Sequence, residues 1–400
     1  MKIDTDPKKI EEFLSRGIEN IYPNTDFLRK KLLSGERQTI YWGIDPTGPS
    51  IHIGHALPLR KLAEFQRLGH QVIFLIGDFT ATIGDPDKLS VRKPLTRKEV
   101  LNNAKNYKKQ ASKFLKFGWT GARFEYNSKW LRKMNLEKVL ELASKMTVDQ
   151  MLKRDMFQER MKQGRPVYIH EFMYPLMQGY DSIAMDVDGE IGGNDQIFNM
   201  LAGRDLVREA LNKEKFVVAT KLLVDPSGIK MGKTMGNMVA LDDKPSDMFG
   251  KIMSWTDGMI LPGFELCTDL SLEEIEKIKQ ELSSGVNPRD IKVRLAKEII
   301  TIYHNKEEAD KAEQDFIKTF KEGGLPENID EVVAANGEAL ADLSVKAGLV
   351  KSKGEFRRLV LEGAVSNQET SDKITDPTFK VISTSIFKIG KRRFLKVLVK

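Results

Sequence analysis

The sequence predicts an α/β protein built on a parallel sheet, continued by an all-helical region and closed by a short basic segment. Three observations predict it. Residues 38–77 read as strand, helix, strand; the pattern from Ser246 onward is helical; and all the excess positive charge lies in the last 60 residues.

In chain order, Gln38-Thr39-Ile40-Tyr41-Trp42-Gly43-Ile44-Asp45 reads as a strand ended by the turn formers Pro46, Thr47, Gly48 and Pro49. From Ile53 to Leu68 apolar residues recur at helical spacing, and Gly69 supplies the stop. Gln71-Val72-Ile73-Phe74-Leu75-Ile76-Gly77 is apolar enough for a strand covered on both faces, which completes a βαβ unit. Residues 96–146 read as mainly helical, with Thr96 and Glu99 forming a capping box, and resemble an insertion between two halves of the sheet. Further helices are expected over 171–187 and 195–212, with a strand at Phe216–Leu223 between them and the loop Val224–Asn237. Ser271 with Glu274 caps a helix in the later region, another runs from Asp290 to His304, and residues 322–337, rich in Gly, Asn and Pro, read as a linker. Beyond it lie a short helix, a helix capped by Ser352 and Glu355, and strand-like runs at Val381–Thr384 and Phe394–Val399.

Composition excludes several classes. With 400 residues, 40% hydrophobic and 30% charged, the chain can bury cores without staples, and it is neither collagen-like nor disordered. The start has no apolar h-region and no stretch reaches a membrane span, so a soluble protein is expected. One cysteine, Cys267, excludes an internal disulfide and a multi-cysteine metal site and fits a reducing cytoplasm. Of 64 Lys and Arg, 13 fall in 341–400, against 6 of 57 Asp and Glu; that leaves 51 of each sign in residues 1–340. A basic terminal segment beside a neutral body is the footprint of a polyanion such as RNA, or a solvated lysine-rich tail.

Two motifs carry chemistry. His52-Ile53-Gly54-His55 stands at the expected strand-to-helix junction, where free backbone N–H groups favour an anion and Gly54 lets a nucleotide approach the backbone. Alone, it reads equally as two surface histidines; a metal site lacks a third ligand, since His70, His170 and His304 are far in sequence. Lys230-Met231-Gly232-Lys233-Thr234 follows a strand and is flanked by Gly228 and Gly236. Two ammonium groups there suit the charge of a leaving pyrophosphate. An exposed lysine loop is a common thing, but its pairing with the histidine motif in an α/β chain is not.

The pair resembles the H-I-G-H and K-M-S-K-S signatures of class I aminoacyl-tRNA synthetases, with Gly232 and Thr234 at the two serine positions. Tyr41-x-Gly43-x-Asp45-Pro46-Thr47, Ile83-Gly84-Asp85-Pro86, Tyr174-x-x-x-Gln178-x-x-Asp181 and Gly192-Gly193-x-Asp195-Gln196 resemble the bacterial tyrosyl-tRNA synthetases over nearly the whole chain. The resemblance implies a Rossmann-like parallel-sheet catalytic domain with a helical insertion (1–240), a helical tRNA-binding domain (241–322), a linker (323–340) and a small α+β RNA-binding domain of the ribosomal S-four type (341–400). It implies L-tyrosine, ATP with Mg²⁺ and tRNA(Tyr) as substrates, no protein-held metal or prosthetic group, and a homodimer formed near residues 120–165. It places the tyrosine phenol at Tyr41 and Asp181 and its ammonium group at Asp85, Tyr174 and Gln178, with Asp45, Thr80 and Gln196 supporting that site. It gives ATP to Gly43, His52, Gly54, His55, Lys88, Arg92, Gly192, Asp195, Lys230, Met231 and Lys233, and catalysis to His52, His55, Lys230, Lys233 and Thr234. RNA contacts fall to Arg357, Arg358, Lys391, Arg392 and Arg393. Independently, Tyr174, Gln178 and Asp181 at spacings of four and three share one helical face. Two other readings compete. A nucleotidylyltransferase or tryptophanyl enzyme would share the histidine motif, but Tyr41 and Asp181 do not suit an indole. A catalytically silent RNA-binding protein on the same scaffold would have lost His52, His55, Lys230 or Lys233.

Overall fold

A computed structural model describes residues 2–85, 95–224, 238–321, 329–370, 372–390 and 393–399. Its central sheet has six strands: β1 (Ile18–Tyr22), β2 (Thr39–Ile44), β3 (Gln71–Ile76), β4 (Arg123–Tyr126), β5 (Gly189–Gly193) and β6 (Phe216–Thr220), in the order β1-β6-β5-β2-β3-β4. All neighbours are parallel except β1, which lies antiparallel to β6. The expected parallel sheet is therefore mixed, with one antiparallel strand at its edge, a common way to end a doubly wound sheet.

The βαβ unit forms as the periodicity predicts. The helix α1 (Ile53–Arg67) buries Ile53, Ala56, Leu59, Leu62 and Phe65, and every residue of β3 except Gln71 is buried. The stretch 96–146 is not wholly helical: β4 lies within it as the other edge of the sheet. Four residues alternating charged and aromatic side chains carry too weak a strand signal to be read from sequence. The helical insertion between the halves of the sheet consequently starts later, and runs from Ser128–Leu131 through Leu136–Ala143, Val148–Leu152 and Asp155–Lys162 to the long helix α2 (Ile169–Ala184).

Strand β5 is glycine-rich for steric reasons. A Cβ at Gly189 would lie 2.1 Å from the Phe216 ring, and one at Gly192 would lie 2.8 Å from Met200 Sδ. The helix α3 (Ile197–Leu211) packs against α2 through Gly179 and Gly203, where a Cβ on Gly179 would meet the Gly203 Cα at 3.0 Å. From β2 the chain adds β3 and β4 on one side, then β5 and β6 on the other. The order thus reverses between β2 and β5, and in open α/β sheets the carboxyl ends of the strands at such a point form the binding crevice.

The later helices include Ile260–Cys267, Leu272–Ser283 with the Ser271–Glu274 capping box, and Pro288–Tyr303. The chain divides into two compact units, Met1–Lys244 with Lys251–Asn305, and Pro245–Gly250 with Lys306–Lys400. The helices of 251–305 fall in the same unit as the sheet. In the second unit, β7 (Asp330–Ala334), β8 (Glu338–Ala339), β9 (Val365–Asn367), β10 (Lys380–Val381), β11 (Ser385–Ile389) and β12 (Arg393–Val399) build a four-stranded sheet, β7-β12-β11-β9, and a pair, β10-β8. The expected linker is therefore shorter than 323–340: β7 pairs in parallel with β12 over Asp330–Ala334. The core of this sheet, with the helices Leu340–Lys346 and Lys353–Leu361, is made by Leu340, Leu343, Phe356, Val365, Phe387, Leu395 and Val397.

Candidate active site

A cavity of about 690 Å³ opens at the switch point, and every described residue that the sequence assigned to tyrosine or ATP borders it. Lys88, Arg92, Lys230, Met231, Lys233 and Thr234 lie outside the described residues.

One end of the cavity begins with Tyr41, fully buried in β2. Its hydroxyl lies 3.1 Å from Ser182 Oγ and 3.4 Å from the Gln178 carbonyl. Burial, with the nearby Glu190 and Asp181 carboxylates, raises its ionisation well above the usual phenol range, so Tyr41 is neutral. Asp181 accepts hydrogen bonds from Trp130 Nε1 (2.6 Å) and Asn127 Nδ2 (3.2 Å). Burial raises the Asp181 carboxyl well above its ordinary value, against the pull of these two donors. Asn127 also donates to Thr80 Oγ1 (3.0 Å) and accepts the Phe79 N–H (2.9 Å). Thr80 in turn donates to Asp45 Oδ1 (2.7 Å), and the Tyr174 hydroxyl donates to Asp45 Oδ2 (3.0 Å). Asp45 is thus held between Thr80 and Tyr174, the second of which it was expected to support.

Asp85 is engaged within the fold. It pairs with Arg154 at 2.9 Å and accepts from Gln196 Nε2 at 2.7 Å. Gln178 donates through Nε2 to Glu190 Oε1 at 2.8 Å, and Glu190 forms an ion pair with Lys215, whose Nζ also donates to Ser182 Oγ at 2.9 Å. Lys215 is wholly buried; burial draws its ammonium below the usual range, and the Glu190 carboxylate opposes that.

The other end of the cavity is built differently. His52 is the N-cap of α1, and its Nδ1 accepts the His55 N–H at 3.3 Å. The two imidazoles stack with centroids 3.5 Å apart, and a Cβ on Gly54 would lie 3.1 Å from the His52 ring. The segment that follows the lysine motif pairs with the histidine motif: Ile53 donates to the Val239 carbonyl and Leu241 to that of Ile51, each at 2.9 Å. Gln110 holds the same place, accepting the Ile51 N–H (2.7 Å) and donating to Asp242 (3.1 Å). The histidine motif is therefore tied to residues 239–242, a few positions after the lysine motif in the chain.

Sequence reasoning missed Trp130, Asn127, Ser182, Glu190 and Lys215. Lys215 left one trace, a lysine directly before the apolar run Phe216-Val217-Val218-Ala219; the others gave none. In the second unit, Arg357 and Arg358 are exposed on the helix Lys353–Leu361, whereas Lys391 and Arg392 lie outside the described residues. Arg393, also expected at RNA, pairs with Glu355 at 3.0 Å and donates to the carbonyls of Leu349 and Ile389. Its guanidinium holds the module's own fold together.

The sequence matches the tRNA synthetases class I (W and Y) over residues 33–321. It is 44% identical over 390 residues to tyrosine–tRNA ligase 2 of Vibrio cholerae, covering 97% of this chain and 98% of that protein. The chain belongs to the tyrosine–tRNA ligase family. Another member, the tyrosine–tRNA ligase of Carboxydothermus hydrogenoformans, is 45% identical over 407 residues, with 98% of each chain covered. Among solved structures, a C-terminally truncated mitochondrial tyrosyl-tRNA synthetase of Aspergillus nidulans superposes with a TM-score of 0.65 at 26% identity, covering 78% of this chain and 94% of that one. The class I catalytic fold of the family is thus the six-stranded unit described above.

Proposed function

We propose that this member of the family activates L-tyrosine with ATP, giving tyrosyl-adenylate and pyrophosphate, and then transfers tyrosine to the terminal adenosine of tRNA(Tyr). The observation that carries this reading is a single cavity with Tyr41 and Asp181 at one end and His52 and His55, at a helix start, at the other. The tyrosine carboxylate is itself the nucleophile and attacks the α-phosphorus in line, so the protein's work is positioning and charge stabilisation. Tyr41 and Asp181 take the phenol, while Asp85, Tyr174 and Gln178 take the ammonium group, with Asp45, Thr80 and Gln196 behind them. Asp85 would then exchange part of its pairing with Arg154 for the substrate. His52 and His55 serve the phosphates beside the N-terminus of α1. Gly43, Gly54, Gly192 and Asp195 take the adenosine side, and Lys88, Arg92, Lys230, Met231, Lys233 and Thr234 complete the nucleotide site by resemblance. ATP arrives as its Mg²⁺ complex. A tryptophan reading is disfavoured because an indole N–H cannot satisfy both a hydroxyl and a carboxylate.

The basic C-terminal module, through Arg357, Arg358, Lys391 and Arg392, is the RNA-binding part of this reading, with the helical region before it as a second tRNA contact. The homodimer rests on the insertion, where Leu136, Leu140, Val148, Met161 and Ile169 expose between 54% and 84% of their surface. No described helix is long and apolar enough to cross a membrane, and the proposed tRNA substrate puts the enzyme in the cytoplasm. ATP–pyrophosphate exchange with each of the twenty amino acids tests the reading. Exchange should depend on tyrosine alone, and dependence on any other amino acid would overturn it. A chain ending at Gly324 keeps β7 from being stranded without β12; it should form tyrosyl-adenylate and charge tRNA poorly, and normal charging would remove the module from the mechanism.

A further inference from the structure

Two residues beneath the pocket, Lys215 and Ser182, do not border the cavity, yet they control groups that do. Lys215 directly precedes β6 and is completely buried, in a space that exists because α3 carries glycine at 203: a Cβ there would lie 2.7 Å from Nζ. An ammonium group donates hydrogen bonds and accepts none, so it sets the direction of every bond it joins.

Its first arm runs toward the phenol end. Nζ donates to Ser182 Oγ at 2.9 Å, so the serine hydrogen has to leave in another direction, and Tyr41 Oη lies 3.1 Å away. With Ser182 donating to it, Tyr41 must give its own hydrogen elsewhere. In the empty pocket that hydrogen has the Gln178 carbonyl at 3.4 Å, long for a hydrogen bond, and the nearby Glu190 carboxylate, which Gln178 and Lys215 also engage. A phenol oxygen entering the cavity within closer reach takes that hydrogen in place of the long contact. The second arm runs toward the ammonium end. Lys215 pairs with Glu190, Glu190 accepts the Gln178 amide N–H at 2.8 Å, and the Gln178 side-chain oxygen is the end left for the cavity. An acceptor is what a substrate ammonium group needs.

We infer that Lys215 is a positioning residue that fixes hydrogen-bond polarity at both ends of the tyrosine pocket, making Tyr41 a donor to the phenol and Gln178 an acceptor for the ammonium group. This rests on the reading of Tyr41 and Gln178 as tyrosine contacts.

The test measures pyrophosphate exchange with tyrosine and with phenylalanine. Ser182→Ala cuts the first arm and leaves the ion pair in place. It should lower tyrosine-over-phenylalanine discrimination about three- to tenfold, the worth of one neutral hydrogen bond, by slowing tyrosine and not phenylalanine. Lys215→Met alone would strand a buried carboxylate and threaten folding, so it is combined with Glu190→Gln. The folded double variant should show a tyrosine KM raised about tenfold, with kcat changed less and discrimination reduced. If it folds with the wild-type KM and discrimination, or if Ser182→Ala leaves discrimination unchanged while Tyr41→Phe lowers it, the role of Lys215 is overturned and the pocket reading stands. If Tyr41→Phe is silent as well, the pocket reading itself fails and takes the inference with it.

Discussion

The two ends of one cavity are built on opposite principles. At the phenol end each working side chain is held by another inside the protein: Asp181 by Trp130 and Asn127, Asp45 by Thr80 and Tyr174, Gln178 by Glu190. At the phosphate end the structure offers a helix start, stacked imidazoles and glycines that clear the backbone. On the proposed reading, the difference follows from what each end has to recognise. Tyrosine differs from phenylalanine by one neutral hydroxyl, so selection needs buried donors and acceptors that suffer when left unpaired. A polyphosphate carries several charges, and a field of N–H dipoles and cations finds it without a rigid frame.

The largest effect that would break this contrast lies at the phosphate end. Lys233→Ala should raise the barrier to tyrosine activation by about 3–4 kcal/mol while leaving tyrosine affinity nearly unchanged. Pre-steady-state adenylate formation separates the two, and an equal loss in binding would mean that the ends are not independent.

The next tests the scaffold away from both ends, where a pH effect should appear without a specificity effect. His70 is buried, its Nδ1 accepts the Gln38 N–H at 3.3 Å, and burial, aided by Arg37, holds its ionisation down to about 4. The unfolded chain takes up this proton near pH 6.5 and the native state resists until about 4. Stability is therefore full above pH 6.5 and falls as the pH drops toward 4, by up to roughly 3 kcal/mol. Urea titrations at pH 7 and pH 5 check it, and His70→Gln should flatten the slope; an unchanged slope would assign the acid sensitivity elsewhere.

At the phenol end Asp181→Ala removes a buried carboxyl partner and should cost tyrosine activation about 1–3 kcal/mol relative to phenylalanine. Should a folded Asp181→Ala enzyme reject phenylalanine as strongly as the wild type, Asp181 does not read the hydroxyl. The smallest expected effect is Tyr41→Phe, about 0.5–1.5 kcal/mol on the same ratio, because a neutral partner is lost and Asp181 remains. A larger loss at Tyr41 than at Asp181 would reverse the division of labour between them.

The residues at the phosphate end are legible in the amino-acid sequence, because a helix N-terminus, a glycine and two histidines are a local matter of spacing. So is the helical face of Tyr174, Gln178 and Asp181, which α2 reproduces. The groups that hold those side chains are not legible there. Asn127 and Trp130 follow an edge strand too short to announce itself, and Glu190 sits among glycines that reveal their purpose only against Phe216 and Met200.

What the sequence determined by itself was therefore what repeats with a short period or sits in a contiguous motif: the βαβ unit, the helical region, the basic C-terminal segment and the two signatures. Tertiary structure alone decided which strand lies at which edge, that β7 belongs to the terminal module, that Arg393 turns inward, and that Lys215 meets Glu190 and Ser182 across 25 and 33 residues. The physical reason is that strand pairing and buried polar contacts join residues distant in the chain, and nothing in local propensity or periodicity encodes such a partner.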